Sequence, residues 1–386
     1  MAVAQGYGKT VTSGSVFAYD VADTRNSYIG EPTTNLALFS VISGITFNAD
    51  YAALTSQAAD YNVTYRGRPS LRCTSTGQWN IYKYPRPGNY TATSSTVFTF
   101  SWKMKWSDGR VPAFSNGYIY TDAQYFYPAV TVTPIEDGWY LCQTISSGTS
   151  SPVYLTGFTT TQYGACYIAD WQVEAKSHAT SFTPAGTTRS ATQGLLPLVG
   201  NSTLDLSNVS FDSNAQMVFD GTDDYLDFTS PNLSGTATIE MLCKIGSGYS
   251  DKMFFGWLAY DVWCGSGHLG YNTGNGDVYG ISSSTVSSLG LVNNWKHYIF
   301  EMRSDVSYTN NKIYINGTSQ TLSQQLSGEA PGNRNFNSGN GRIADWRITG
   351  YYMPMDCAIF KVYNRALLAA EVRQNYLHYK TRFNLS

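Results

Sequence analysis

The side chains best equipped for chemistry in this sequence are its carboxylates, its four histidines and its aromatic clusters. Cleaving a glycosidic bond on a β-scaffold needs two carboxyl groups facing one cleft, as a Glu-x-Asp-x-x-Glu run on a single strand would supply. No such run occurs. Glu136-Asp137 precede Gly138 in a turn-like context, and Glu240 stands alone in its strand, where a carboxylate is more often solvated or paired than catalytic. Nucleophilic catalysis fares no better: there is no Gly-x-Ser-x-Gly elbow, and His178, His268, His297 and His378 lie far apart. The chain is therefore expected not to be an enzyme.

Asp220, Asp223, Asp224 and Asp227 could furnish oxygen ligands for Ca²⁺, but they lack the EF-hand ladder and its glycine at the sixth position. Two readings stand: a weak metal site at Asp220, Asp223 and Asp224, or an exposed turn between strands. No cofactor other than calcium is indicated. The six cysteines include no C-x-x-C pair, and only Cys264 has a histidine close by, His268, which argues against structural zinc. Buried free thiols are expected rather than disulfides.

What remains is binding. Sugar sites use aromatic faces, against which the C–H face of a ring packs, with amides, carboxylates or backbone groups fixing the hydroxyls. Tyr118, Tyr120, Tyr125 and Tyr127 lie in one loop-rich stretch. Tyr260, Trp263 and Tyr271 are interleaved with Gly, Asn and Asp in another, and Tyr351-Tyr352 follow Gly350. These are the candidate carbohydrate-binding residues; core or subunit interface is the alternative for each.

The elements that must position them are strands. Trp295–Met302 is followed by Asn310–Ile315, Asn316-Gly317 and Thr318–Leu322, and Asn-Gly between two β-rich runs signals a type I′ hairpin. Tyr298, Phe300 and Met302 fall on one face and His297, Ile299, Glu301 and Arg303 on the other, the pattern of a strand with one buried face. In the run from Val97 to Trp106 an aromatic stripe of Phe98, Phe100, Trp102, Met104 and Trp106 alternates with a wet series, Thr99, Ser101, Lys103 and Lys105. Arg342–Ile348 reads as a further strand. Leu368, Val372, Tyr376 and Tyr379 recur at helical spacing and give the chain its one clear helix.

Composition agrees. Charged residues make up 13% of 386, while Tyr numbers 30 and Gly 35. That favours short strands and turns over long amphipathic helices. A net charge of -2 offers no field for nucleic acid, and no apolar run is long enough to span a membrane. No apolar stretch follows Lys9 as a signal peptide requires, so synthesis in a bacterial cytoplasm without export is expected. The expected fold class is all-β: two antiparallel β-sandwiches of jelly-roll type, a short N-terminal arm and one C-terminal helix. The expected layout is an attachment arm over 1–45, a sandwich over 46–185, a linker over 186–203 and a second sandwich over 204–386.

Met217–Leu226, Thr238–Met241, Trp295–His297 with Tyr314–Gly317, and Phe360–Leu367 before Glu371-Val372 resemble, in that order, the concanavalin A-like, laminin-G-like jelly rolls. The Tyr363–Leu367 ending, followed by Arg373–Tyr376 and Arg382-Phe383, is similar to the form found in tailed-bacteriophage virion proteins. In the first half, Ala169–Ala175 with Ala179–Pro184 resembles the carbohydrate-binding-module-like jelly rolls of phage fibres. Leu368 departs from the pattern, standing where Ser or Thr usually caps the final helix.

The resemblance implies a structural protein of the bacteriophage virion surface, either a tail fibre or receptor-binding protein or a head-fibre or capsid-decoration protein. Its lectin-like domains would adhere to host or environmental glycans. It would dock on other virion proteins through residues 1–45 and form a homo-oligomer, a trimer in the case of a fibre. The alternative is a soluble polysaccharide-degrading enzyme, a depolymerase, on the same fold.

Overall fold

A computed structural model describes residues 9–37, 54–83, 96–121, 125–146, 148, 153–229, 231, 233, 235–257, 260–274, 276–304, 306–327, 332, 336, 340–348 and 350–385. The β-rich runs form strands that pair antiparallel throughout the named sheets, as all-β sandwiches require. The chain gathers into two compact units, one of Met1–Gly30, Ala191–Asp212 and Gln216–Ser386, the other of Glu31–Ser190 with Ser213–Ala215.

In the first unit, a six-stranded sheet has the order Ser15–Asp20, Met355–Tyr363, Thr236–Ile245, Trp295–Arg303, Lys312–Ile315, Thr318–Ser319. A seven-stranded sheet runs Leu226–Phe228, Gly341–Ile343, Met253–Gly256, Asp261–Trp263, Leu269–Asn272, Val278–Ile281, Ser323–Leu326. Alternation sends Ile239, Met241, Tyr298, Phe300 and Met302 inward, into one core with Phe254, Phe255, Val262 and Tyr271 of the facing sheet. Phe254 meets the Tyr298 ring edge-on at 5.3 Å. Burying one such aromatic contributes roughly 1.5–3 kcal/mol. The Asn-Gly turn forms as expected, with φ of 47° at Asn316 and 76° at Gly317 and Ile315 opposite Thr318.

The outer face of the six-stranded sheet is not wet. His297, Ile299 and Glu301 are as buried as Tyr298 and Phe300, because the helix Ala369–Phe383 and residues 9–14 cover it. Val11, Ile299, Tyr314, Tyr363, Leu367 and Val372 form a small second core there. At its centre the fully buried Glu240 takes three hydrogen bonds, from His297 Nε2 at 2.8 Å, the Tyr363 hydroxyl at 2.7 Å and Asn375 Nδ2 at 3.1 Å. Lys361 Nζ lies 3.8 Å away. Asn375 also accepts the Val11 amide, which pins the segment around Val11 to the helix. The helix begins at Ala369 despite Leu368, whose side chain has no acceptor to offer. Glu371 instead accepts the Leu368 N–H at 2.8 Å and is gripped by Arg365.

Within the stretch expected as an arm, Ser15–Asp20 is an edge strand paired with Met355–Tyr363, and Phe17 and Tyr19 belong to the main core. Thr33–Thr34 pairs instead with Thr188–Arg189 in the second unit. The expected linker, 186–203, is likewise built in, since Leu195 is a core residue of the first unit. Residues 1–8 and 38–45 of the expected arm lie outside the described residues. A second helix, the six residues Ser283–Ser288, adds to the expected one, its first turn capped by the Ser282 side chain accepting from Thr285 N–H.

The second unit packs a six-stranded sheet (Leu54–Tyr65, Arg68–Ser75, Gly164–Glu174, Thr99–Trp106, Tyr140–Ile145, Thr131–Pro134) on a four-stranded one (Trp79–Lys83, Val153–Thr160, Asn116–Thr121, Tyr125–Phe126). The aromatic stripe predicted for Val97–Trp106 is its core: Trp102 stacks on Phe158 at 4.8 Å and on Phe100 at 4.5 Å. The opposite face is wet only in part. Thr99 and Ser101 are buried, the Thr99 hydroxyl donating to the Lys176 carbonyl, because the chain after Glu174 folds back over that end of the strand.

Candidate functional site

In the first unit, Met253, Trp263, Asn272, Gly276, Trp346 and Tyr351 line a small surface cleft of about 80 Å³. Trp263 ends its strand, and its ring meets Tyr351 edge-on at 6.3 Å and 87°. Tyr351 in turn meets Trp346 at 6.0 Å and 75°. Three aromatic side chains thus stand at steep angles around one opening, while Asn272 supplies an amide and Gly276 an open floor on which an added Cβ would touch nothing.

Two buried aspartates hold the walls. Asp277 accepts the Thr273 N–H at 2.6 Å and, through its other oxygen, the Thr273 hydroxyl at 2.7 Å and Gln324 Nε2 at 2.8 Å. Its own carbonyl accepts Trp263 Nε1 at 2.9 Å, so the indole is fixed by the loop it packs against. On the far side Asp345 accepts the Tyr351 N–H at 2.8 Å and Arg342 Nη1 at 3.3 Å. Burial raises the Asp345 pKa above the ordinary carboxylate value, against the lowering by Tyr351 N–H and Arg342. Tyr351 O accepts the Met253 N–H, which ties this loop to the sheet. The cleft's shape is therefore set before any ligand arrives, which limits the ordering cost of binding.

Of the expected sugar-binding residues, the fold brings Trp263 and Tyr351 together. Tyr352 lies apart, stacked on Tyr225 at 6.5 Å, with the Arg342 guanidinium 3.7 Å over the Tyr225 ring. Tyr260 and Tyr271 are fully buried, which withdraws them from any surface site. Both rings belong to the main core, and their hydroxyls are spent there: Tyr260 donates to Arg303 O and accepts from Asn311 Nδ2, and Tyr271 meets the Glu301 and Lys312 carbonyls. Tyr127 is exposed. Tyr118, Tyr120 and Tyr125 fall on the paired strands Asn116–Thr121 and Tyr125–Phe126, and their side chains lie outside the described residues.

The pattern of residues hid Trp346. The strand expected over Arg342–Ile348 stops at Ile343, and Ala344 turns left-handed at φ 66°, so the next residues leave the sheet. An aspartate directly before a tryptophan, with Gly350 close behind, was the available signal for an ordered aromatic loop.

Asp220, Asp223 and Asp224 do converge, with one carboxylate oxygen from each lying within 4.8 Å of the others. Both Asp224 oxygens are already engaged, one accepting the Ser210 hydroxyl at 3.2 Å and the other the Asp220 N–H at 2.7 Å. Asp220 accepts the Thr222 N–H. The group has the donor chemistry for a hard cation, but these bonds account for it equally as a self-braced turn.

No family model and no curated protein matches this sequence. Among solved structures it is similar to the receptor binding domain of botulinum neurotoxin C/D mosaic serotype, at 12% identity over 48% of each chain with a TM-score of 0.36. It is also similar to the botulinum neurotoxin serotype D ligand binding domain in complex with N-acetylneuraminic acid, at 11% identity over 49% of each chain and 0.34. The botulinum neurotoxin type G receptor binding domain stands at 13% over 48% of each chain and 0.33. The chain spans about half the length of those structures, and the likeness is too distant to carry a residue or a ligand across.

Proposed function

We propose that this chain is a non-enzymatic recognition module of a bacteriophage virion surface, and that the Trp263–Trp346–Tyr351 cleft holds part of a glycan. The observation that carries the reading is the edge-to-face placement of Trp263 and Tyr351 in a cleft whose two walls are each braced by a buried aspartate. Rigid aromatic faces beside an amide suit the apolar C–H face and the hydroxyls of a sugar ring. At about 80 Å³ the cleft is far smaller than the roughly 300–1,000 Å³ of an enclosing ligand pocket, so it takes the edge of one ring. Weak single-site affinity of this kind becomes useful when copies are displayed together on an oligomer. The virion assignment rests on the resemblance of Tyr363–Leu367 and the preceding jelly-roll motifs to tailed-phage proteins. In this reading the chain docks on other virion proteins through residues 1–45, outside the Ser15–Asp20 strand that the sheet consumes.

Two measurements test it. Imaging intact particles of the parent phage should locate the chain at the tail, for host recognition, or on the capsid, for decoration; absence from the particle would overturn the virion assignment. Glycan-array binding by the purified chain should be lost in Trp263→Ala. Steady release of reducing ends from host polysaccharide would replace the binding reading with a depolymerase.

A further inference from the structure

Cys243 and Cys357 stand directly opposite each other on adjacent antiparallel strands, and an irregularity in the pairing puts them there. Leu242 pairs with Ile359 and Cys243 with Cys357, so Ala358 is the extra residue of a β-bulge. Without it, Cys357 would share the outward face of Ile359. With it, Cys357 joins Cys243 in the main core while Ala358 and Ile359 both face the helix-covered side. Opposed residues in an antiparallel pair have Cα atoms about 4.5–5.5 Å apart, within the 4.4–6.8 Å that a disulfide spans.

Access comes from a separate feature. A cleft of about 250 Å³, walled by Val21, Met217, Val218, Trp295 and Phe383 with Asp212, Gln216 and Asp356, borders Cys357, which is itself buried, so the sulfur is reached from the cleft only by a local opening of its wall. The Tyr19 hydroxyl donates to Cys357 Sγ from 3.3 Å, and the Cys357 thiol donates to the Ile359 carbonyl at 3.5 Å. Cys243 is fully buried behind it, and burial holds its thiol well above the ordinary range.

We propose that Cys243 and Cys357 form an oxidisable cross-strand dithiol that reacts, through the cleft at Cys357, with a low-molecular-weight disulfide. The Cys357 thiolate attacks one sulfur of the small disulfide and expels the first thiolate, leaving a mixed disulfide at Cys357. The Cys243 sulfur then attacks Cys357 Sγ and expels the second. Two electrons pass from the protein pair to the reagent, and the two protons lost by the cysteines end on the two small thiols released. The product bridges two central strands and closes a loop of about 110 residues, a length for which a cross-link is strongly stabilising. Cys73 and Cys166 also pair across strands but are fully buried in the other core, and they serve as an internal comparison.

The test is incubation of the folded full-length chain with oxidised glutathione, then unfolding, alkylation of remaining thiols and peptide mapping without reduction. The expected result is a Cys243–Cys357 linked peptide formed well before any Cys73–Cys166 link, with a Tm several degrees higher. Cys243→Ser should halt at a glutathione adduct on Cys357, and Cys357→Ser should carry no adduct at Cys243. Full alkylation of both cysteines in the wild-type chain would overturn the proposal, whatever the variants do. Equal rates at the two pairs, or an adduct at Cys243 in Cys357→Ser, would overturn the cleft as the route.

Discussion

Asp345 holds Tyr351 by its backbone, accepting the amide at 2.8 Å from a position no solvent reaches, so an aromatic wall of the surface cleft is set by a buried carboxylate six residues away. Replacing Asp345 with Ala orphans that N–H, at a cost of about 1–3 kcal/mol when buried, while Arg342 keeps its pairing with Asp227. Asp345→Ala should therefore lower the denaturant midpoint and broaden the near-ultraviolet signal of Trp346.

The same residue predicts a pH dependence. Its folded pKa lies above the unfolded value of about 3.8, chiefly through burial. The folded state then holds the proton more tightly, and this group's contribution to stability falls as pH rises from the unfolded pKa through the folded one. Asp345→Asn keeps an acceptor for Tyr351 and should flatten that fall. Urea midpoints for wild type and Asp345→Asn across pH 3–7 are the check (a range of roughly one unit below to three above the usual carboxylate pKa).

At the cleft, Trp263→Ala and Tyr351→Ala each remove an aromatic face from a partly exposed position. Either should weaken glycan binding by about 10- to 30-fold, the range of an interface anchor worth roughly 1.4–2 kcal/mol. Tyr127→Ala, outside the cleft, should leave it unchanged. Titration calorimetry against the best array ligand reads the difference.

Glu240 behaves oppositely to Asp345. Burial raises its pKa, but Lys361, then His297 and Tyr363, pull it below the ordinary 4.5. The stabilisation is present above the unfolded pKa and lost as pH falls through the folded value, so acid should loosen this layer first. Hydrogen exchange below pH 4.5 should rise together in the Ala369–Phe383 helix and at Val11, both tied to Asn375. Glu240→Ala, which takes the carboxylate from His297, Tyr363 and Asn375 while Lys361 keeps the Thr10 hydroxyl, should cost about 3–5 kcal/mol at neutral pH.

Gly317 combines a φ of 76° with a close approach: an added Cβ would lie 3.0 Å from Tyr376 Cδ1 on the helix. Gly317→Ala should cost about 1–2 kcal/mol through the turn geometry and the crowding together. Tyr376→Ala in the same chain should recover the crowding part only, and a double-mutant cycle separates the two.

Much of this was legible from local pattern. The alternation in Val97–Trp106 and Trp295–Met302 and the Asn316-Gly317 turn are decided by neighbours in sequence, and they came out as read. The second faces of those strands were not legible, because what buries His297 comes from residues 9–14 and from the last helix, and what covers Thr99 from the chain after Glu174. Tyr260 and Tyr271 looked loop-like among Gly, Asn and Asp, yet Tyr271 sits at an inward position of the strand Leu269–Asn272 and Tyr260, directly before the strand Asp261–Trp263, is buried in the same core. Trp346 was missed because one left-handed residue, Ala344, ends a strand that composition alone would continue.

The pairing of Ser15–Asp20 with Met355–Tyr363 also sets an order of events during synthesis. At ribosomal speeds of about 5–20 residues per second, some 340 residues and roughly 20–70 s separate the making of these two strands. The unit Glu31–Ser190 can finish folding within that interval, since it needs almost nothing made later. The first strand cannot: Ser15–Asp20 lacks its strand partner until Met355–Tyr363 has been made. The nascent protein's exposure to aggregation is thus governed by six early residues, and a chaperone that shields them would act before either sheet of the first unit exists.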